Sequence, residues 1–298
     1  MLRLVCDFLN DNKIEHKCCA DLSGISSVRI GGVADVLITP SSAEELKLLT
    51  NFFNKHNIPK IILGRASNVL FVKDIISCPV IQTVRLAGVI FDGEYVFAEC
   101  GVSLSRLAHL AAERGLSGLE ELSGIPGTVG GALVGNAGAF GKDISSVVSQ
   151  VSVIGENGLF QIVYNNDACE FSYRNSRFSH SGEVVLACKM KLKPEQPRLI
   201  KEKMDLFLQK RLESQPHGVP SLGSVFKRPV RGYAGEMIER CGLKGHVIGG
   251  AAISDAHAGF IVNLGGATAA DYIALYYLAK KAVFEKFSVM LEPEIRFV

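Results

Sequence analysis

The stretch that most constrains this chain runs from Ser123 to Gly141 and reads SGIPGTVGGALVGNAGAFG. Seven of its nineteen residues are glycine, and none carries a charge. An interior glycine weakens a helix or strand by roughly 0.5–1 kcal/mol, so glycine at this density serves close approach or unusual dihedral angles. Backbone amides without neighbouring side chains can surround an anion such as a pyrophosphate. The stretch therefore favours a nucleotide-binding loop.

Other interpretations of this stretch make different demands on its residues. A membrane-spanning helix needs about 20 predominantly apolar residues, which Pro126, Asn136 and the glycines do not supply. A Rossmann fingerprint begins with two glycines spaced two positions apart, and no pair here has that spacing. A P-loop needs a glycine five residues before Gly141, where Asn136 stands instead. A glycine-rich turn packed into a core remains open as an alternative.

Composition bounds the class of protein and its partners. The 298 residues predict about two domains with a sizeable core. Because 32 basic residues balance 30 acidic ones, electrostatics demand neither a nucleic-acid partner nor an anionic membrane, and we expect no nucleic-acid partner and no membrane span. The N-terminus mixes charges into its apolar positions, which argues against a cleaved signal and for a cytoplasmic location. The eight cysteines include no C-x-x-C pair, so we expect reduced core thiols and no metal site.

The first part of the chain has an α/β pattern. Residues 1–20 are predicted as a short amphipathic helix and a linker. Ser42 and Glu45 have capping-box spacing, and the apolar residues that follow recur on one helical face. A further strand leads into the polar turn 64–68, and α/β units place ligands at the carboxyl ends of such strands. This turn is therefore a second candidate ligand loop.

The later part of the chain contains more strands and two helices with clear boundaries. Segment 148–193 is predicted to be rich in strands, and the charged stretch between Pro197 and Pro216 is predicted as a connector helix. A compact α+β unit follows and ends in a strand over 289–298, whose alternation would put Glu292 and Glu294 on one face.

Eight motifs in one order resemble the UDP-N-acetylenolpyruvoylglucosamine reductases, the MurB flavoenzymes of bacterial peptidoglycan and cell-wall synthesis. Each motif is weakly specific alone, but eight in order over nearly the whole chain are highly specific. The segment after Phe226 resembles the second type of the family, and Arg65-Ala66 depart from its usual Asn-Gly. The motifs are VRIGG at 28–32, GRASN at 64–68, SGIPGTVGGALVGNAGAFG at 123–141, YRNSRF at 173–178, GSVFKRP at 223–229, AGEMIE with GLKG at 234–245, HAGFIVN at 257–263 and LEPEIRFV at 291–298.

The resemblance implies an α+β fold with a two-subdomain FAD-binding domain of the vanillyl-alcohol-oxidase (PCMH) type, followed by an α+β substrate domain. We expect the FAD-binding domain at 21–194, with subdomains at about 21–75 and 76–194, and the connector helix and C-terminal domain at 195–298. The implied cofactor is non-covalent FAD, because loop 64–68 contains neither His nor Cys. The implied partners are NADPH as co-substrate and a UDP-sugar substrate.

The implied reaction reduces an enolpyruvyl ether to a lactyl ether, with a hydride added to C3 and a proton to C2. Negative charge then builds on the substrate carboxylate, so the site needs donors aimed at its oxygens. The resemblance assigns this task to Arg174, which we expect in a strand and whose planar fork matches a carboxylate. It assigns the proton on C2 to Ser224 and selects Glu294 as the catalytic carboxyl. Tyr173 and Lys227 are the expected substrate-binding residues.

The expected FAD contacts fall in two loops and one arginine near the end of the connector helix. They are Gly64, Arg65, Ala66, Ser67 and Asn68; Gly124, Ile125, Pro126, Gly127, Thr128, Gly130, Gly131 and Asn136; and Arg211. His257 and Asn263 are expected to stabilise the C-terminal domain instead of touching substrate. Two alternatives remain: a PCMH-type flavin oxidoreductase of another small hydroxy compound, and a nucleotide-binding regulatory module without catalysis.

Overall fold

The computed structural model describes residues 1–158 and 160–298, and helices and strands are mixed throughout this part of the chain. Its α-helices are α1 (Leu2–Asp11), α2 (Ala43–Lys55), α3 (Leu104–Glu113), α4 (Val129–Val134), α5 (Pro197–Ser214), α6 (Ala234–Arg240) and α7 (Ala269–Phe287). Short 3-10 helices lie at Glu120–Leu122, Ile144–Ser146, Asn166–Cys169 and Arg177–Ser179. No helix in the described ranges is long and apolar enough to cross a membrane.

The strands are short, and most belong to antiparallel pairs. They are β1 (His16–Asp21), β2 (Val33–Ile38), β3 (Ile61–Leu63), β4 (Val69–Leu70), β5 (Ile75–Ile76), β6 (Val80–Gln82), β7 (Val89–Asp92), β8 (Tyr95–Glu99), β9 (Leu116–Ser117), β10 (Gly138–Ala139), β11 (Lys142–Asp143), β12 (Val148–Ile154), β13 (Gln161–Asn165), β14 (Val184–Lys191), β15 (Lys193–Pro194), β16 (Ser221–Ser224), β17 (Val247–Ile248), β18 (Ala251–Ile253), β19 (Phe260–Asn263) and β20 (Arg296–Phe297).

The chain forms two compact units. Unit 1 comprises Met1–Ala20, Ala34–Arg65 and Ser77–Gln209, and unit 2 comprises Asp21–Val33, Ala66–Ile76 and Lys210–Val298. Two short N-terminal segments thus belong to the unit that contains the C-terminal residues. Compactness does not define where a cofactor binds, so the functional boundaries at 21–194 and 195–298 stay predictions.

Unit 1 contains two main sheets. In one, β13, β12, β14, β8 and β7 lie side by side in that order, and every neighbouring pair is antiparallel. In the other the order is β1, β2, β6 and β3, and β6 runs parallel to both β2 and β3. Helix α2 confirms the helix prediction, since the Ser42 side chain accepts the Glu45 amide and Leu46, Leu49 and Phe53 are fully buried. The Glu45 carboxylate accepts hydrogen bonds from the amide and hydroxyl of Ser41, so the second bond of a capping box, from the Ser42 amide to Glu45, is replaced by bonds from the preceding residue.

Unit 2 contains an antiparallel sheet in the order β16, β19, β18 and β17. Helix α7 begins with a capping box, in which Thr268 and Asp271 each accept the other's backbone amide. The long final strand is wrong, because only β20 is a strand and it pairs in parallel with β4. Leu291 and Ile295 are both buried, as expected for two residues on the same face of a strand. Pro293 lies between them and has no amide to donate to a strand ladder, which interrupts the strand.

Two smaller expectations also need correction. Residues 16–20, expected within a linker, belong to β1, because their backbone joins a sheet despite the weak apolar alternation of HKCCAD. The cysteines are free thiols, and burial raises the pKa of the Cys100 thiol to about 12 and that of Cys169 to about 11. Cys18 and Cys19, however, are exposed and are not core residues.

Candidate active site

The glycine-rich segment folds as a coil that enters the short helix α4. Thr128 is the N-cap of this helix, and its side-chain oxygen accepts the Gly131 amide at 3.3 Å. The amides of Val129 and Gly130 donate to the carbonyls of Val102 and Cys100, both at 2.8 Å. These two amides are therefore used within unit 1, and a phosphate would have to be held by other donors of the segment.

The glycines at 130 and 131 have different surroundings. A Cβ atom at Gly130 would lie 2.9 Å from the Cys100 Cβ and 3.0 Å from its carbonyl oxygen, so glycine there is required for packing. A Cβ at Gly131 would meet only the Thr128 hydroxyl at 3.6 Å, which is ordinary contact. Gly131 is also exposed, whereas Gly130 is buried. Gly131 is thus the better placed of the two for a ligand.

Gly64 brings the 64–68 loop against the glycine-rich segment. A Cβ at this position would lie 2.2 Å from the Thr128 hydroxyl oxygen and 2.9 Å from its methyl group. Such a distance cannot be tolerated without movement, so the loop beginning at Gly64 can approach α4 only because it has no side chain there. Two glycine-containing loops that pack this closely can present backbone amides to one pyrophosphate, so these residues fit FAD.

Arg65 still belongs to unit 1, whereas residues 66–68 of this loop lie in unit 2. Ala66 adopts φ +46, in the left-handed region where glycine is usual, so the loop keeps a glycine-like backbone without the family's glycine. Arg65 is exposed. The Asn68 side chain donates to the Glu294 carbonyl at 3.0 Å, and the Arg296 amide donates to the Asn68 carbonyl at 2.9 Å. Asn68 therefore supports the segment that carries Glu294, a role that the sequence pattern did not reveal.

Arg211 lies in the last turn of α5, and its Nη1 donates to the Gln215 side chain at 3.1 Å. Burial lowers the pKa of its guanidinium. An anionic ligand would offset that penalty, which suits the predicted contact with a phosphate. No cluster of His, Cys, Asp and Glu side chains suited to a metal ion occurs in residues 1–158 and 160–298.

Arg174 lies in a turn, and its predicted place in a strand is wrong. The amides and carbonyls of Ser172 and Asn175 pair with each other at 3.0 and 3.1 Å, which closes a loop of two residues around Tyr173 and Arg174. Arg174 has φ +54 at the third position of the turn, where a type II turn requires a positive φ and glycine is usual. A bulky residue in this conformation is uncommon and often marks a functional site.

The Arg174 guanidinium is half-buried and contacts neighbouring groups. Its Nη2 donates to the Gly138 carbonyl at 3.1 Å, and its Cζ lies 5.3 Å from the centre of the Tyr173 ring. Tyr173 itself is exposed. Arg177 from the same motif instead pairs with Glu183 at 3.2 Å and donates to the Ala168 carbonyl at 3.0 Å. Arg177 is thus a structural residue, whereas Tyr173 and Arg174 occupy the two central positions of the turn.

Asn136, predicted as a cofactor contact, is buried and uses both ends of its side chain within unit 1. Its Nδ2 donates to the Ser172 carbonyl at 2.9 Å, and its Oδ1 accepts the Ser145 amide at 3.3 Å. Ser176 and Ser179 both donate to the Val134 carbonyl, at 2.9 and 2.6 Å. The C-terminal half of the glycine-rich segment is therefore bound to the loop that carries Arg174.

In unit 2, Ser224 ends strand β16 and follows Gly223, whose φ of +79 accompanies an irregularity in the pairing of β16 with β19. The Ser224 hydroxyl donates to the Phe226 carbonyl at 3.1 Å. A left-handed glycine immediately before the serine is a physical reason for the GS pair in this motif.

Glu294 reaches the vicinity of Ser224 through backbone pairing. The Glu294 amide donates to the Val225 carbonyl at 2.8 Å, and the Lys227 amide donates to the Glu292 carbonyl at 2.9 Å. Residues 225–227 thus pair with residues 292–294, so the structure brings Ser224, Lys227 and Glu294 together in unit 2. Glu294 is half-buried, whereas Glu292 is exposed and lies 3.6 Å from the Lys227 ammonium.

His257 and Asn263 hold unit 2 together, as predicted. Asn263 is buried, donates to the Val28 carbonyl at 2.9 Å and accepts the amides of Gly265 and Ala267. His257 accepts the Gly259 amide on Nδ1 at 3.0 Å, and burial lowers its pKa.

Comparison with known proteins decides the family. A UDP-N-acetylenolpyruvoylglucosamine reductase from Caldicellulosiruptor bescii is 42% identical over 293 residues, which cover 98% of this chain and 93% of that protein. The chain belongs to the UDP-N-acetylenolpyruvoylglucosamine reductase family. A second relative, from Latilactobacillus sakei subsp. sakei, is 38% identical over 299 residues and covers 100% of this chain and 98% of its own.

Structural comparison and domain profiles agree with this membership. The crystal structure of UDP-N-acetylenolpyruvylglucosamine reductase (MurB) from Thermus caldophilus matches with a TM-score of 0.81 and 33% identity, over 95% of this chain and 98% of that one. An FAD binding domain profile matches residues 34–163, and the profile of the family's C-terminal domain matches residues 215–298. The predicted fold, an α+β flavin-binding domain of the vanillyl-alcohol-oxidase type followed by the family's C-terminal domain, is confirmed, and FAD is the cofactor.

Proposed function

We propose that this protein is an oxidoreductase that converts UDP-N-acetylglucosamine enolpyruvate to UDP-N-acetylmuramate with NADPH, in peptidoglycan precursor synthesis. The observation that carries the proposal is that the reductase motifs retain Arg174, Ser224 and Glu294. Arg174 lies in a turn with positive φ, Ser224 follows a glycine with positive φ, and the Glu294 amide is hydrogen-bonded to the Val225 carbonyl. Relatives that match nearly the whole chain carry this activity in their names. We also propose a cytoplasmic location, which suits the free thiols.

The cofactor contacts proposed for this function come from the two loops. The backbone from Gly124 to Gly131 and the loop from Gly64 to Asn68 would hold FAD, with Gly131 offering more room than Gly130. Arg211 would contribute a positive charge to a phosphate. The chemistry that bound FAD supplies is hydride transfer from NADPH to C3 of the enolpyruvyl group.

The side chains proposed for the substrate supply charge and a proton. Arg174 would hold the enolpyruvyl carboxylate with its fork and stabilise the negative charge that develops on the carboxylate oxygens during addition at C3. Ser224 would donate its hydroxyl proton to C2, which completes the saturated lactyl ether. Glu294 would assist at the carboxyl group, and Tyr173 and Lys227 would bind the rest of the substrate. A reductase of another hydroxy compound has no such need for an arginine, a serine and a carboxyl together.

Anaerobic spectroscopy tests the function. NADPH should bleach the flavin absorbance of the purified protein, and the enolpyruvyl substrate should then restore it. Bleaching without recovery would support an oxidoreductase of a different compound, and a protein without flavin absorbance would refute the assignment.

Replacement of Ser224 by alanine tests its role. Flavin reduction by NADPH should stay close to wild type, because that step places no proton on C2. Reoxidation by substrate should slow on the order of 10² or more, the usual scale for a positioned acid. Equal slowing of both steps would show that Ser224 has only a structural role.

A further inference from the structure

Four hydrogen bonds join the loop that carries Arg174 to the glycine-rich segment: Arg174 itself donates to the Gly138 carbonyl, Ser176 and Ser179 donate to the Val134 carbonyl, and Asn136 makes the one that reaches the backbone of the 172–175 turn. Its Nδ2 lies 2.9 Å from the carbonyl oxygen of Ser172, the first residue of the turn. We propose that Asn136 is a positioning residue that sets the backbone conformation of the Arg174 turn and thereby the reach of the guanidinium. The inference rests on the proposed role of Arg174 toward the substrate carboxylate.

Position 136 makes three demands at once. The backbone has φ +40, in the left-handed region that asparagine and glycine tolerate best. The Ser172 carbonyl needs a donor and the Ser145 amide needs an acceptor. Glycine would satisfy the backbone alone, and aspartate would satisfy the backbone and the acceptor. Asparagine satisfies all three, and its side chain is buried, so its hydrogen bonds are well shielded from water.

The turn itself needs such support. Arg174 has φ +54 without being glycine, a conformation that persists only where the surroundings hold it. The Ser172 carbonyl accepts hydrogen bonds from both the Asn136 side chain and the Asn175 amide, so the bond from Asn136 acts on the same atom that closes the turn. If Asn136 lost its donor, the first residue of the turn would be free to shift. A misplacement of about 1 Å at a binding group can cost on the order of 10² in rate.

The test compares Asn136→Asp with the matched variant Asn166→Asp. Asn166 also donates from Nδ2 to backbone carbonyls, those of Ser145 and Val148 at 2.8 and 2.7 Å, but these bonds do not reach the Arg174 turn. We expect both variants to lose thermal stability while retaining FAD and the rate of flavin bleaching by NADPH. Only Asn136→Asp should slow flavin reoxidation by the enolpyruvyl substrate, by about 10- to 10²-fold.

A binding measurement adds a readout that does not depend on turnover. Calorimetric titration with the enolpyruvyl substrate, without NADPH, should show weaker binding for Asn136→Asp than for Asn166→Asp. Asn136→Gly, which keeps the backbone conformation and adds no negative charge, should show the same defects in a milder form. Loss of FAD from both Asn136 variants would mean that Asn136 acts on the cofactor, and would overturn the inference.

A double-variant cycle separates this inference from the proposed function. Arg174→Ala should slow reoxidation, and adding Asn136→Asp to it should cause little further loss, because the effect of Asn136 passes through Arg174. If Arg174→Ala reoxidised normally, the proposed role of Arg174 would fail. If Arg174→Ala were slow but Asn136→Asp behaved like Asn166→Asp, the proposed function would stand and only the positioning role of Asn136 would be refuted.

Discussion

The packing of Gly64 on Thr128 predicts that a single methyl group will separate the two candidate FAD loops. In Gly64→Ala the new Cβ would start 2.2 Å from the Thr128 hydroxyl oxygen and 2.9 Å from its methyl group. Thr128 cannot easily move away, because it is buried and its hydroxyl caps α4 by accepting the Gly131 amide. Relief of the clash therefore requires movement of the loop, loss of the cap, or both.

The expected cost follows from these two terms. Overpacking a tight site costs about 1–3 kcal/mol. Loss of a threonine N-cap costs about 1 kcal/mol. Gly64→Ala should therefore destabilise the protein by about 2–4 kcal/mol if both terms apply. Thr128→Ala should cost only the cap, about 1 kcal/mol.

The double variant is the decisive measurement. Thr128→Ala removes both of the atoms in the closest contacts and leaves the Thr128 Cβ at 3.1 Å from the new methyl group. Gly64→Ala/Thr128→Ala should thus be more stable than Gly64→Ala alone, with a favourable coupling of about 1–3 kcal/mol. Urea unfolding would give the four free energies, and flavin absorbance per protein should recover in parallel. Additive free energies, or a Gly64→Ala protein as stable as wild type, would refute the packing argument.

Four further predictions concern other residues. Gly131→Ala should stabilise α4 by about 0.5–1 kcal/mol while lowering FAD affinity, whereas Gly130→Ala should destabilise the fold because its methyl group would clash with Cys100. Urea unfolding and flavin titration measure both effects, and a Gly130→Ala protein more stable than Gly131→Ala would contradict the prediction. The Tyr272 hydroxyl is buried without a hydrogen-bond partner among residues 1–158 and 160–298, so Tyr272→Phe should be neutral or stabilise by roughly 1 kcal/mol, and a marked loss in thermal unfolding would contradict this. Burial lowers the His257 pKa, so the unfolded chain gains its proton first and stability should fall as pH drops below 6.5; unfolding at several pH values should show a smaller fall for His257→Asn, which can still accept the Gly259 amide. Glu294→Gln should slow substrate-driven flavin reoxidation far more than Glu292→Gln, since Glu292 forms an exposed pair with Lys227, and the reverse order in stopped-flow traces would refute the choice of Glu294.

The sequence predicted those elements whose signals are local. The cap at Ser42 marks the first turn of α2, and the apolar residues spaced for one face of this helix, Leu46, Leu49 and Phe53, are buried. Capping and periodicity act within one or two turns of chain, so residues that lie close in sequence suffice to predict them.

The errors occurred where distant contacts determine the backbone. Arg174 was expected in a strand, yet it lies in a turn that is held by Asn136 and by the pairing of Ser172 with Asn175. The long final strand was wrong for a similar reason, because residues 292–294 pair with 225–227 and β20 pairs with β4. No local pattern reveals that Asn68 supports the Glu294 backbone, since the two residues are 226 positions apart in the sequence.

The motif segments share a conflict between residue type and backbone conformation. Ala66, Asn136 and Arg174 all have positive φ without being glycine, at +46, +40 and +54. Such a backbone costs an alanine or arginine roughly 1–2 kcal/mol, so it survives only where surrounding bonds impose it. Those bonds are present, since the Ala66 carbonyl accepts the Ser27 amide and Asn136 anchors the Arg174 turn. Natural proteins often carry such conflicts at functional sites, and Ala66, Asn136 and Arg174 each lie in a motif segment proposed for FAD or substrate, although other residues with positive φ, such as Lys13 and Ser288, lie outside the motifs. Positive φ alone therefore does not select these three positions, and it is the bonds that hold them, above all the bond from Asn136 to the Arg174 turn, that give each conformation its support.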